Sequence, residues 1–466
     1  MKITSVVNIL QGKIKIGKTI FVSGWVKTKR ISKLGFLFVD MYDGSCFDVL
    51  QVIMTDDLNN YTNELLVLTT GCSLNITGIL KESIGKKQKI ELLATKCEVL
   101  GKIKDPHNYP ISAKYHTVEY LREVAHLRPR TNIIGTIARI RNTLAQAVHY
   151  FFNKEGFIWI STPIITTLDT EGNGKMFRVT TLDMNNFTLE KDKNTIFKKD
   201  FFGCEAFLTV SGQLHGEAYA CALNKIYTFG PTFRAENSNT SKHLSEFWMI
   251  EPEIAFADLN DIIVIAEKLL KFVVKQVLKK CNDDLTFIAK QIDNNIFIKL
   301  EKIISNKFII IDYSDAIFIL QKVSKKFKNS ISWGVDLFSE HERYLVDTYF
   351  KLPVIIKNHP KKIKAFYMRI NDDNKTVASM DILFDGIGEI IGGSQREERL
   401  NVLTERMSEL QINHTNYDWY LDLRRYGSVP HAGFGIGFER LLSYITGTHN
   451  IRECIPFPRT PFNAKY

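Results

Sequence analysis

The sequence predicts an α+β protein in which a small all-β domain precedes a larger domain of helices and short strands. Three observations lead there. The first hundred or so residues break into five short runs rich in β-branched and aromatic side chains, punctuated by Asp43-Gly44 and Gly85. From Asn132 the apolar residues recur at helical spacing instead, through Ile133, Ile137, Ile140, Leu144, Ala147, Val148 and Phe151. Beyond residue 325 the pattern returns to short strands separated by glycine-rich turns. A length of 466 residues suffices for two or three domains, each with its own core.

The five β-runs are 20–27 (IFVSGWVK), 36–41 (FLFVDM), 47–54 (FDVLQVIM), 73–80 (SLNITGIL) and 90–100 (IELLATKCEVL). Five such strands suit a small closed barrel. The OB-fold is the natural candidate in a basic protein, and any small β-domain fits the pattern equally well. Residues 1–103 are assigned to this domain. Residues 104–131 carry Pro106, Pro110 and Pro129 among charged side chains, which is linker composition. The larger domain takes 132–466. Its first helix stops at Gly156, a short strand at 157–161 runs up to Pro163, and 259–325 reads as an amphipathic helical insertion rich in Lys, Leu and Ile.

A hydrophobic content of 45% and a charged content of 24% are those of an ordinary soluble globular protein. The formal charge of +10 favours a polyanionic partner such as nucleic acid, at even odds on charge alone. The seven cysteines are scattered with no CxxC pair, so neither a zinc site nor a disulfide framework is indicated. The N-terminus MKITSVVNIL lacks a secretory pattern and no apolar run reaches the length of a membrane span, so no membrane association and a cytoplasmic location are expected.

Chemistry concentrates in four segments. In 232–253 (TFRAENSNTSKHLSEFWMIEPE), strand character at 227–236 and 246–255 flanks a polar loop at 237–242, which suggests an antiparallel hairpin. Arg234 and Glu236 would share one face of the first strand, and Phe247, Met249 and Glu251 one face of the second. A guanidinium for phosphate and a ring for a base suit a nucleotide, whereas any one of these residues alone fits a surface hairpin with solvated charges. In 431–442 (HAGFGIGFERLL), alternating Gly433, Gly435 and Gly437 would leave one strand face bare for a flat ligand. Glu439-Arg440 then opens a helix whose N-terminus favours phosphate. In 380–398 (MDILFDGIGEIIGGSQREE), Asp381 and Glu389 could share a Mg²⁺ as hard oxygen ligands, while Asp385 reads as a solvated turn residue. The fourth segment is 208–217, LTVSGQLHGE.

These motifs resemble the signatures of class II aminoacyl-tRNA synthetases of subclass IIb. The pattern fRxE, a loop and then HLxEFxMxExE is similar to their second signature, and GxGxGxER to their third. The stretch 139–163 fits the loose first signature, with Pro163 as the family's dimer-interface proline. The details HLSEFWMIEPE look like the asparaginyl branch, and the resemblance covers essentially the whole chain. It implies an N-terminal anticodon-binding OB barrel and a catalytic domain built on an antiparallel sheet flanked by helices. It implies ATP as substrate, Mg²⁺, L-asparagine, tRNA(Asn) as partner, and a homodimer.

By the same resemblance Arg234 contacts the α-phosphate and Arg440 the γ-phosphate. Glu236 and His243 lie around the nucleotide with Glu389, Gly435 and Gly437, and Phe247 stacks on adenine. Lys242 stands where the family commonly has arginine, which keeps charge but loses bidentate geometry. Glu171 matches the carboxylate that receives the substrate ammonium, with Ser211 and Gln213 lining the same pocket and Arg396 holding the substrate side chain. In the barrel, Arg30, Phe38 and Gln51 match anticodon-reading positions. Aspartyl enzymes carry stretches such as PQLFKQ, with a lysine against the substrate carboxylate, where this chain has Gly216 followed by Glu217. Glu217 can accept from an amide NH₂, while a second carboxylate about 4 Å away would be repelled by roughly 4 kcal/mol at an effective dielectric of ~20. An aspartyl-tRNA synthetase, a non-catalytic nucleic-acid-binding paralogue and an amidating enzyme on the same fold are the rival expectations.

Overall fold

Alternation of side chains builds the N-terminal barrel. Along Leu37–Tyr42 the residues Leu37, Val39 and Met41 are wholly buried and those between them are half-buried, as successive strand residues point to opposite faces. The computed structural model describes residues 2–85, 88–170, 175–183, 196–238 and 240–466. It divides into two compact units, Met1–Arg139 with the terminal Tyr466, and Ile140–Lys465.

In the first unit β1 (Thr19–Ile31), β2 (Leu37–Tyr42), β3 (Leu50–Met54), β4 (Ser73–Glu82) and β5 (Ile90–Gly101) close a barrel in the order β1-β2-β3-β5-β4, with β3 and β5 parallel. All five expected strands are present, although the third starts at Leu50, because Phe47 and Asp48 still belong to the turn that follows Tyr42. Val22, Leu50, Val52, Leu74, Ile76 and Leu92 fill the interior. The stretch expected as a linker holds a short helix, Val118–Glu123, capped by Thr117, whose side chain accepts from the Tyr120 amide at 3.3 Å.

The second unit is organised on eight strands: β6 (Ile158–Trp159), β10 (Lys225–Phe233), β11 (Glu246–Ala255), β12 (Ile309–Asp312), β13 (Val354–Lys357), β14 (Ser379–Phe384), β15 (Gly388–Gln395) and β16 (His431–Gly437). They lie in the order β12-β13-β14-β15-β16-β11-β10-β6. From β13 to β10 every pairing is antiparallel, as expected, but the outermost pairs β12–β13 and β6–β10 are parallel. A separate small sheet pairs β9 (Ala206–Leu208) with β7 (Ile165–Thr166) and β8 (Arg178–Val179).

The helix Leu259–Lys280 lies across β14, β15 and β16 and buries Ile262, Ile263, Ala266, Leu269, Leu270, Val273, Val274 and Val277. Its start is locked by Asp258, which accepts from the amides of Asn260 (2.7 Å) and Asp261 (3.0 Å) while Asp261 accepts from the Asp258 amide (3.0 Å). The expected helical insertion at 259–325 is therefore corrected twice. Its first helix is a covering layer of the sheet, and four of its residues form the edge strand β12. A run of three isoleucines before Asp312 carries no periodicity long enough to separate strand from helix. Among the described residues no helix is long and apolar enough to cross a membrane.

At Gly78 an added Cβ would stand 2.4 Å from the Leu93 carbonyl oxygen across the β4–β5 pair. Gly78→Ala should destabilise the barrel by about 1–3 kcal/mol, seen as a lower urea midpoint for the full-length chain; an unchanged midpoint would show that this strand pair opens freely.

Candidate active site

Strands β10, β11, β15 and β16 converge on a cavity of about 180 Å³. Every nucleotide candidate lines it: Arg234, Glu236, His243, Phe247, Glu389, Gly435, Gly437 and Arg440. One detail of their placement differs from expectation. Strand β10 ends at Phe233, so Arg234 and Glu236 sit in the chain that leaves the strand rather than on its face. The Arg234 guanidinium lies 5.5 Å from the centre of the Phe247 ring, so cation and ring flank the same space. Met249, two residues beyond Phe247 on β11, lines the cavity as well. Burial lowers the His243 imidazole, and the nearby Arg440, Arg234 and Lys242 add to that against Glu236. Lys242 also borders the cavity, where its Nζ donates to the Ile387 carbonyl at 2.7 Å.

The alternating glycines of β16 have separate uses. An added Cβ at Gly433 would stand 2.2 Å from the Glu253 carboxyl carbon, so this bare face seats a buried carboxylate and not a ligand. Gly435 faces the Met249 methyl at 2.7 Å by the same construction, and with Gly437 it keeps a smooth wall for the cavity. Helix Phe438–Thr446 then starts at the cavity edge. Arg440 donates to the Glu389 carbonyl at 2.9 Å and faces inwards. Glu439 also lines the cavity, but its carboxylate is engaged, paired with Arg141 at 2.7 Å and accepting from the Trp248 amide at 2.8 Å.

Asp381 and Glu389 both approach Gly392: a Cβ there would meet Glu389 Oε1 at 2.9 Å and Asp381 Oδ1 at 3.7 Å. The other Asp381 oxygen is held by Lys364 (2.7 Å) and His359 (3.2 Å). Burial and the Asp381 charge raise the Glu389 carboxyl. One oxygen from each acid thus faces a common, like-charged space, a fit for a hard divalent cation that completes its shell with phosphate and water. Glu342 adds a third acid beside them, pushed up to about 7 by burial and by Glu389 and Asp381. Asp385, expected in solvent, instead accepts from the Tyr444 hydroxyl at 2.7 Å.

Among the described residues none of the amino-acid candidates borders the cavity, and Gln213, Glu217 and Arg396 are buried. Arg396 grips Glu253 twice, through Nε–Oε2 at 3.1 Å and a shorter Nη2–Oε1 bond, and donates to Ser394 Oγ at 2.7 Å. Glu217, expected to face the substrate, is wholly buried with both oxygens engaged. Gln213 Nε2 reaches Oε1 at 3.0 Å, and Arg424 and His431 reach Oε2 at 2.8 and 2.9 Å. Tyr420 donates to both oxygens. Burial alone would raise this carboxyl, but Arg424, His431 and Arg396 outweigh it and hold it well below the usual range. Two buried carboxyl groups are thus paired with two buried guanidiniums, with burial and the Glu217 charge pushing the Glu253 carboxyl up to about 7 against the pull of Arg396. Ser211 bonds Glu251, which also accepts from the Gly212 amide (3.0 Å) and Thr228 (2.8 Å). Glu171 lies outside the described residues.

Several of these residues were not singled out from the sequence. Glu253 continues the alternate-residue face of Phe247, Met249 and Glu251, a signal that was available. Arg424, His431, Tyr420 and Lys364 carry no such signal. On the barrel the three anticodon candidates form one cluster. Arg30 lies 4.7 Å from the Phe38 ring centre and donates to Gln51 at 3.0 Å, and Gln51 donates to Glu91 at 3.0 Å. Phe38 faces away from the core filled by Leu37 and Val39 and is half-buried.

Comparison with known proteins shows the family of the chain. A family model described as tRNA synthetases class II (D, K and N) matches residues 117–461, and one described as an OB-fold nucleic acid binding domain matches residues 20–100. The asparagine–tRNA ligases of Histophilus somni (strain 129Pt) and Pasteurella multocida are 61% and 60% identical to the chain, each over 100% of both sequences. Among solved structures, the asparaginyl-tRNA synthetase of Pyrococcus horikoshii complexed with asparaginyl-adenylate is 30% identical, with a TM-score of 0.86 over 99% of each chain.

Arg424→Met should leave the Glu217 charge buried without its nearest cation and lower stability by roughly 3–5 kcal/mol. Chemical denaturation of the variant checks this, and a loss below about 1 kcal/mol, the scale of an exposed pair, would show that His431 suffices.

Proposed function

The chain belongs to the class II tRNA synthetases and, within them, to the asparagine–tRNA ligases, and from that premise we propose how its residues serve the two steps. It ligates L-asparagine to tRNA in an ATP-dependent reaction through an asparaginyl-adenylate. In the first step the asparagine carboxylate attacks the α-phosphorus and diphosphate leaves. The nucleophile is already ionised, so the demand is for alignment and charge neutralisation rather than a general base. Arg234 neutralises the α-phosphate, Phe247 stacks on adenine, Glu236 and His243 border the nucleotide, and Arg440 takes the γ-phosphate at the edge of its helix. A Mg²⁺ held by Asp381 and Glu389 would offset charge on the phosphate oxygens. In the second step the acyl group passes to the terminal ribose of tRNA(Asn), at the 3′-hydroxyl, and AMP leaves.

The observation that carries the reading is the placing of all nucleotide candidates on one cavity beside a charge-balanced buried group. A guanidinium already paired with Glu253 offers a substrate its remaining N–H donors without a surplus charge. That suits a neutral amide and disfavours a second carboxylate. Gln213 supports the same reading, since its side-chain amide already donates to Glu217 as an asparagine amide would. On this account the substrate amide takes over that bond, with its oxygen towards Arg396; Ser211 holds the pocket through Glu251, and Glu171 receives the ammonium. Arg30, Phe38 and Gln51 read the anticodon by stacking and hydrogen bonding to splayed bases. The exposed apolar edge at Ile158, Trp159, Ile164 and Ile165, around Pro163, is a homodimer surface. The cytoplasm is the place of action.

ATP–diphosphate exchange with the purified protein decides the substrate: activity with asparagine and not aspartate is expected, and the reverse would overturn the assignment. Glu217→Gln, which keeps the side-chain volume and one acceptor oxygen without burying a further cation, should raise the KM for asparagine about tenfold or more while the variant stays folded by circular dichroism; unchanged exchange would remove Glu217 from amide recognition. Arg234→Ala should slow exchange by ~10²–10³-fold, with less effect on the KM for asparagine.

A further inference from the structure

The C-terminal turn holds an aromatic residue where the backbone disfavours one. Thr460 and Asn463 exchange two backbone bonds, at 3.1 and 2.9 Å, around Pro461-Phe462. Phe462 has φ +62. A proline followed by a positive φ is the type II turn, whose third position favours glycine. The Phe462 side chain gains nothing from its own fold in return, since the residue is 98% exposed. A strained residue retained without internal packing points outwards, to a function.

The turn forms one wall of a groove of about 510 Å³. Phe177, Leu208, Phe233, Pro461 and Phe462 make it aromatic and apolar, with Arg459 at its side and Glu236 and Glu246 also on its lining. Glu236, Ser245 and Pro461 line both this groove and the nucleotide cavity, so the two spaces share a wall. Aromatic faces beside cations form the recurrent platform for unpaired nucleotides, because every base has a face to stack and every linkage a negative charge.

We propose that this groove seats a base of the unpaired 3′ end of tRNA, stacked on Phe462, so that the terminal ribose enters the adjoining cavity. The proposal rests on that cavity being the adenylate site. A base in the groove leaves its neighbour one nucleotide away at the shared wall, where the acyl group must be transferred. The stacking tolerates any base, as fits a strand end recognised by position.

The test compares the full-length enzyme with Phe462→Gly and Phe462→Tyr in two assays. Phe462→Gly should keep or raise the thermal midpoint, because glycine suits the turn, and keep tRNA-independent ATP–diphosphate exchange within about twofold. Charging of tRNA should fall roughly tenfold or more, in line with the loss of one stacked base, with Phe462→Tyr restoring it. Charging that is unchanged in Phe462→Gly overturns the proposal, as does an equal loss in both variants. Altered oligomeric state by light scattering without altered charging also overturns it, by making the turn a contact between copies. Absence of exchange in the unmodified enzyme would instead strike the reading of the cavity, so the two failures are distinguishable.

Discussion

The Glu253 carboxylate lies flat against β16 because residue 433 has no side chain, and from this close approach follows its double bond to Arg396. Once that pair is buried, the second pair, Glu217 with Arg424, is brought to within 4.0 Å of Arg396 by the same crowding. In a low-dielectric interior no member of such a group can be left without its partner. The elements that supply them, β11, the helix Gln213–Leu223, the segment after β15 and the helix Asp418–Arg425, are thereby held in one relative arrangement.

The two substrates of the first step meet different physical environments. The nucleotide cavity is open, polar and smooth on one side, with charges on side chains that border it directly. Glu217, Glu253, Arg396 and Arg424, by contrast, are buried and paired with one another. Such a division suits the reaction: phosphate charge needs neutralising groups it can touch, whereas selection of an amide over a carboxylate needs a site that offers hydrogen bonds without net charge. The acidic group of Asp381, Glu389 and Glu342 lies between these regimes. Lys364 pairs with one Asp381 oxygen and leaves the other towards Gly392 and Glu389.

Much of this was legible without coordinates where local pattern and chemistry coincide. The barrel strands were readable because one face of each is buried and the other is not, and the long helix from Asn132 because its apolar period is sustained over more than twenty residues. That Arg234, Phe247 and Arg440 would come together was readable from their motifs, and they line one cavity although Arg234 lies just past the end of its strand. Legibility failed where the period is short or the partner is distant. The edge strand Ile309–Asp312 has too few residues to declare its period. Glu217 was expected to face the substrate, but the side chains that hold it, Arg396, Arg424 and His431, lie 179 to 214 positions away in the chain.

By itself, then, the sequence determined the class of each domain, the family, and the identity of the groups that can meet a nucleotide, because these follow from periodicity and from the chemistry of side chains held close together along the chain. Tertiary structure decided which charges pair with one another. It turned Glu439 to Arg141, Glu253 to Arg396 and Glu217 to Arg424, and it assigned Gly433 to a carboxylate rather than to a ligand. Those outcomes depend on pairings across hundreds of residues and on desolvation, which no local pattern records.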